Sequence, residues 1–389
     1  MDRGLLLAAR GLRAFGFGFS AVLIGIHLER RGLPAGLIGL TLGIGLATAS
    51  LSGLIAAWAA ARFGRRATLA ACGLLMAVTG LDLALASSPV LLVLAGVPGM
   101  LGAASVDLGP FAAVEQAMLA EAAPAKDRNT AFGRYAFTAG LLNAAGGLSA
   151  ALVSSQGAAG YFVLYSAIGL ITAAIPLFMS RGVEAPGPAI AFGRFRPLAV
   201  LAGLFALDSL GGGFVANAVI AYWLHARFGA GTMFLGPVFA VIALLQAASY
   251  EVSGRLANRI GLVNTMVFTH LPSNLLLLAV PFAPNLGIAV ALLFARFALS
   301  QMDVPARQAY VVSLVPPAER AGAVAMTGAV RGVAQSVGPT IAGIAIGAAS
   351  FGIPFFAGGG VKIVYDLALY AGFRNRRAEH EPRPRPPIE

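Results

Sequence analysis

The chain contains a single cysteine, Cys72, so no disulfide can form within its 389 residues. Its four histidines do not gather with Cys72 at metal-ligand spacing, and the sequence offers no site for a metal or redox cofactor. Charge is scarce: Asp, Glu, Lys and Arg make up 11% of the residues, against about 25% in a soluble globular protein. With 58% of residues hydrophobic, the chain has more apolar surface than a water-soluble core hides. No G-x-x-x-x-G-K-S/T sequence occurs, which argues against a nucleotide-driven pump. No grouping of a nucleophile with a base stands out, which argues against an enzyme. The loops are too short for the soluble domain expected of a receptor. The net charge of +11 does not point to nucleic acid, because the arginines punctuate apolar runs instead of covering a polar face.

What is abundant is apolar sequence in runs of membrane-spanning length, about 20 residues each. Twelve such runs are expected at 5–28, 35–60, 67–87, 90–121, 130–153, 158–180, 197–224, 232–257, 262–282, 286–314, 321–348 and 352–373. The ninth contains Pro272 and is expected to kink there. Arg3, Arg10 and Arg13 give the first run the look of a secretory signal, but it lacks a clear small-residue cleavage site and reads as a retained helix. Positive residues cluster in alternate loops (Arg62, Arg65 and Arg66; Lys126 and Arg128; Arg181, Arg194 and Arg196; Arg255 and Arg259; Arg320; Arg374 onward), while the opposite side holds Arg30, Arg31, Arg227 and little else. Because positive loops stay inside, both termini are expected to be cytoplasmic, with an even number of spans in the cell (inner) membrane.

The fold class that follows is all-α integral membrane, with twelve transmembrane helices in two pseudo-symmetric six-helix bundles. The bundles are expected at residues 1–180 and 197–373, joined by a cytoplasmic linker at 181–196. A disordered tail is expected from 374 to 389, where the sequence reads EPRPRPP. The symmetry is read from an internal repeat. Pro124-Ala-Lys-Asp-Arg128 after the fourth run matches Pro316-Pro-Ala-Glu-Arg320 after the tenth, 192 residues on. ARFGRR at 61–66 matches NRIGLV at 258–263, and Gly146 matches Gly338. Parallel duplicated bundles are an architecture in which two domains rock about a midplane site.

These features resemble the major facilitator superfamily over essentially the whole chain. The family's loop motif, Gly-x-x-x-Asp-Arg-x-Gly-Arg-Arg, has its counterpart in Ala57-Trp-Ala-Ala-Ala61-Arg62-Phe-Gly64-Arg65-Arg66, where the glycine and the aspartate are both alanine. Its copy in the second half is Gly254-Arg-Leu-Ala-Asn258-Arg259-Ile-Gly261, with Asn for Asp. The resemblance implies a latch on the cytoplasmic side formed by this loop. Its missing carboxylate could be replaced by Glu251. A Gly-Pro pair, associated in the family with exporters, appears here as Gly338-Pro339 in the eleventh run and without the proline in the fifth; glycines that only allow close helix packing are the competing explanation.

Ionisable groups at membrane depth are expensive unless paired or facing water, so they are functional candidates. They fall in runs 1, 4, 7 and 10, which line the central cavity in the family: Arg13; Asp107 and Glu115; Asp208; Arg296, Asp303 and Arg307. The repeat places Glu115 opposite Arg307 and Arg13 opposite Asp208, so ion pairs across the two halves are expected: Glu115 with Arg307, and Arg13 with Asp208 or Asp107. Asp107, Asp208 and Asp303 suit a proton-coupling role. Lys362 and Asp366, four residues apart, read as a local pair, His27 and His270 as packing residues, and Arg134 and Arg331 as snorkelling ones. The expected activity is secondary active transport of a small solute by a monomer in the lipid bilayer, coupled to protons and possible as export. The competing expectations are a uniporter or organic-anion carrier using Arg13 and Arg307, and a membrane receptor.

Overall fold

A computed structural model describes residues 2–102, 109–122, 128–153, 157–184, 196–315 and 320–374. Among them no strand occurs. The chain runs through α1 (Asp2–Arg30), α2 (Ala35–Phe63), α3 (Arg65–Leu85), α4 (Pro89–Leu94), α5 (Pro110–Ala122), α6 (Arg128–Ser149), α7 (Ala158–Ala174) and α8 (Arg196–Phe214). It continues through α9 (Asn217–Phe228), α10 (Thr232–Ile260), α11 (Leu262–Ala279), α12 (Leu286–Ser300), α13 (Asp303–Ser313), α14 (Arg320–Gln335), α15 (Val337–Gly347) and α16 (Ile353–Phe373). Seven helical segments in the described residues are long and apolar enough to cross a bilayer. The side chains are arranged for a hydrocarbon solvent: Trp58, Phe137, Phe178, Leu244 and Leu367 point outward, while Arg13, Glu115, Asp208, Asp303 and Asp366 are buried.

Four of the expected spans are broken. The fourth divides into α4 and α5, the seventh into α8 and α9, the tenth into α12 and α13, and the eleventh into α14 and α15. In the fourth, Gly99 and Gly102 take positive φ of 71° and 70°, which a side chain would resist. In the tenth, the helix stops at Ser300 and restarts at Asp303, past Gln301 and Met302. A carbonyl released inside a membrane must find a donor in the protein. Ser20 donates to the Leu101 carbonyl at 2.6 Å, Thr48 to Gly96 at 2.9 Å, and Tyr165 to Met100. At the other break Ser249 donates to the Ala298 carbonyl at 2.6 Å and Ser253 to that of Met302. Pro272, by contrast, lies inside an α11 that continues to Ala279.

The repeat is visible in geometry. Gly64 (φ 93°, ψ 154°) and Gly261 (φ 88°, ψ 163°) make the same turn before α3 and α11. In each turn the glycine carbonyl accepts from a threonine four residues on, Thr68 or Thr265, at 2.8 Å. The α1–α6 crossing has Gly18 against the backbone of Asn143 and Gly146 against that of Phe15. In the second half Gly213 and Gly338 lie against each other, with Gly213 also on Gln335. A Cβ at any of the four would overlap backbone, so close helix approach explains these glycines. Between the halves, α2 packs on α14 and α15, α6 on α10, and α1 on α9.

Candidate functional site

Two buried ionic networks occupy the interior, one in each half. In the first, Arg13 of α1 reaches Glu115 of α5 at 2.5 Å. Tyr135 of α6 donates to the same carboxylate at 2.7 Å. The Arg13 guanidinium lies over the Phe111 ring, 4.0 Å from its centroid. One carboxylate thus receives a cation and a hydroxyl, the arrangement that makes a buried charge tolerable.

The second network is larger and centres on Asp208 of α8. Lys362 of α16 approaches its Oδ1 at 2.6 Å, Arg307 of α13 its Oδ2 at 3.4 Å, and His270 of α11 stands 3.6 Å from Oδ1. Arg307 also holds Asp303, one turn back on α13, at 2.6 Å. His270 turns its other ring nitrogen to Asp366 of α16 at 2.8 Å, and Asn274 donates to the second oxygen of Asp366, also at 2.8 Å. Arg331 of α14 donates to Ser209, the neighbour of Asp208, at 3.0 Å. Side chains from three other helices therefore converge on one carboxylate. His270 bridges that carboxylate to a second one, Asp366.

Several expected contacts are replaced. Neither Glu115–Arg307 nor Arg13–Asp208 is the pair formed: Arg13 takes Glu115 within the first half, and Arg307 takes Asp208 and Asp303 within the second. The repeat nevertheless holds, because the cation sits on the first span and the anion on the fourth in one half, with the signs exchanged on the seventh and tenth. Lys362 and Asp366 do not bond each other; Asp208 and the His270–Asn274 pair are their partners. His270 and Arg331 belong to the network. His27, on the other hand, donates to the Leu83 carbonyl at 2.7 Å, and Arg134 is exposed. Asp107 lies outside the described residues. Asn274, Ser209 and Tyr135 were not signalled beforehand; an Asn one turn after a membrane-depth His was the available clue.

The loop motif has found a carboxylate elsewhere. Glu184 accepts from the backbone amides of Arg65 at 2.6 Å and Arg66 at 3.2 Å, so it caps α3 at its positive end. Arg65 and Arg66 answer by donating to the carbonyls of Val183, Pro176 and Leu177. A side chain at Gly64 would meet the Glu184 carboxylate, 2.8 Å from where its Cβ would stand. Arg62 and Arg259 are exposed, and the surroundings of Gly254 and the side chains of Asn258 and Glu251 lie outside the described set.

Comparison with known proteins agrees with this architecture. The Major Facilitator Superfamily pattern matches residues 6–300 and 201–389. An uncharacterized membrane protein of Saccharomyces cerevisiae, YJR124C, is 25% identical over 420 residues, 96% of this chain and 94% of its own length. Among solved structures, the nucleoside transporter NupG in its D323A form superposes with a TM-score of 0.75 at 14% identity, covering 95% of this chain and 100% of its own. A D-xylose-proton symporter gives 0.71 at 15%, covering 94% and 97%. A bacterial homologue of the human lysosomal transporter Spinster, inward-facing and occupied, gives 0.70 at 16%, covering 95% and 93%. The duplicated, broken-helix architecture and the match along the whole sequence place this chain in the major facilitator superfamily.

Proposed function

We infer that the protein is a secondary active transporter that moves a small solute by alternating access and couples that movement to protons. The halves at residues 1–180 and 197–373 are the rocking units, 181–196 is the linker, and both termini face the cytoplasm of a cell whose inner membrane holds the protein as a monomer. The observation that carries the coupling is the placement of one carboxylate, Asp208, under two cations and a histidine contributed by three other helices. Protonation of Asp208 removes the counter-charge of Lys362 and one of the two carboxylates that face Arg307, so helix packing in the second half depends on the proton. Discontinuous helices support the same reading, since transporters build solute and ion sites where helices break. The Asp303–Arg307 pair lies directly after one such break.

The test is solute flux in proteoliposomes under an imposed pH gradient. Wild type is expected to accumulate solute against its gradient when protons run downhill. Asp208→Asn and Asp303→Asn are expected to lose gradient-driven accumulation while retaining solute exchange at equal pH. Flux indifferent to the pH gradient removes the coupling.

A further inference from the structure

Arg13 and Arg307, the arginines that a carrier of organic anions would first be expected to use, are both spent on carboxylates. Arg296 is not. It sits ten residues into α12, about 15 Å along the helix and so near the middle of a hydrocarbon core of about 30 Å. Its residue is 6% exposed, and its Nε and Nη1 have no hydrogen-bond partner among the described residues. One turn on, at the end of α12, Ser300 is 5% exposed and its hydroxyl is also unpartnered. Residues four apart lie on one helix face, so these donors belong to a single patch beside the α12–α13 break. The Phe297 ring lies 4.5 Å from the guanidinium carbon.

The charge balance points the same way. Among the described residues of the second half, the buried Asp208, Asp303 and Asp366 stand against Arg307, Lys362, Arg296 and the half-buried Arg331, which leaves one positive charge over when His270 is neutral. Arg296 feels Asp208 as its opposite charge but makes no bond to it. A buried cation with unspent donors at membrane depth is costly, and one negative charge offering acceptor oxygens would settle both accounts. A monoanion matches the surplus of one; a dianion would overshoot it.

We propose that Arg296 and Ser300 form the anchoring subsite for a single carboxylate group of the transported solute. This rests on the carrier reading above and narrows its substrate to organic monoacids. The full-length chain, purified in detergent, is followed by thermal unfolding during titration with benzoate, lactate and nicotinate, each paired with its uncharged counterpart benzamide, lactamide or nicotinamide. At least one carboxylate is expected to raise Tm saturably while its amide does not. Arg296→Gln and Ser300→Ala are each expected to weaken that carboxylate by about tenfold or more, the loss appropriate to a hydrogen bond on a charged group. Carboxylates and amides acting alike would overturn the proposal, as would undiminished carboxylate binding in both variants. If Arg296→Gln does not yield folded protein, the carboxylate-against-amide comparison and Ser300→Ala decide the question. Flux assays separate the two readings. A carboxylate that binds through Arg296 but is never moved defeats the carrier and leaves the subsite. Flux of an uncharged solute at wild-type rate in Arg296→Gln defeats the subsite and leaves the carrier.

Discussion

Asp208 is the carboxylate that Lys362 bonds, at 2.6 Å, and it shares Arg307 with Asp303. Its replacement by Asn leaves the Lys362 ammonium buried without a counter-charge, a change that costs about 3–5 kcal/mol where one member of a buried pair is removed. Asp208→Asn is therefore expected to lower the thermal unfolding midpoint sharply. Lys362→Met added to it should recover much of the loss, since the stranded charge leaves with it. A double-mutant cycle measured by thermal unfolding in detergent checks this: purely additive losses would mean that the 2.6 Å contact contributes nothing. The deep charges themselves were legible in the sequence, because an Asp or Arg inside an apolar run has few bland explanations. Their partners were not. The repeat relates Glu115 to Arg307 as equivalent positions, but equivalence does not imply contact across the axis: packing within each half brings the first span to the fourth and the seventh to the tenth. The four-residue spacing of Lys362 and Asp366 suggested a local pair, but His270 and Asn274 on α11 reach Asp366 first.

At the scale of helices, the breaks are what sequence periodicity could not reveal. Polar residues do thicken past the tenth break, where Gln301, Asp303, Arg307 and Gln308 follow one another, but in the sequence they signal a candidate site and do not say that the helix stops and restarts. The Gly99 and Gly102 turns left a clearer trace, since only glycine takes those φ values without strain. What stabilises an interruption is also non-local. The carbonyls freed at the end of α12 are satisfied by Ser249 and Ser253, about fifty residues earlier on α10. Ser253→Ala removes a donor from the part-buried Met302 carbonyl at the start of α13, a loss of about 1 kcal/mol. Its unfolding midpoint is expected to fall, and Ser253→Cys, which restores a weak donor of similar size, should fall less. Equal midpoints for wild type and Ser253→Ala would show that the α12–α13 break needs no help from α10.

For the whole molecule, the described contacts between the halves gather toward the end of the bundle that carries Glu29. There Tyr222 and His225 of the second half meet Glu29 of α1, both at 3.2 Å, and Gly39 of α2 lies against Pro339 and Gly343 of α15. The Glu29–His225 pair is too exposed to hold much by itself. The glycine-lined α2–α15 seam is the tighter closure, and alternating access requires it to part in each cycle. A Cβ at Gly347 would stand 3.3 Å from that of Ala35, close to the separation of about 3.5–4.5 Å that a disulfide spans. Ala35→Cys with Gly347→Cys, placed in a Cys72→Ala background so that the only native thiol is absent, is expected to crosslink rapidly on mild oxidation. The oxidised protein should exchange no solute across the bilayer and should recover on reduction, because the solute can then leave on one side only. Each single-cysteine variant should transport before and after oxidation. If the crosslinked chain moves solute at the rate of the reduced one, the seam never opens, and the solute takes a path that does not run between the two halves.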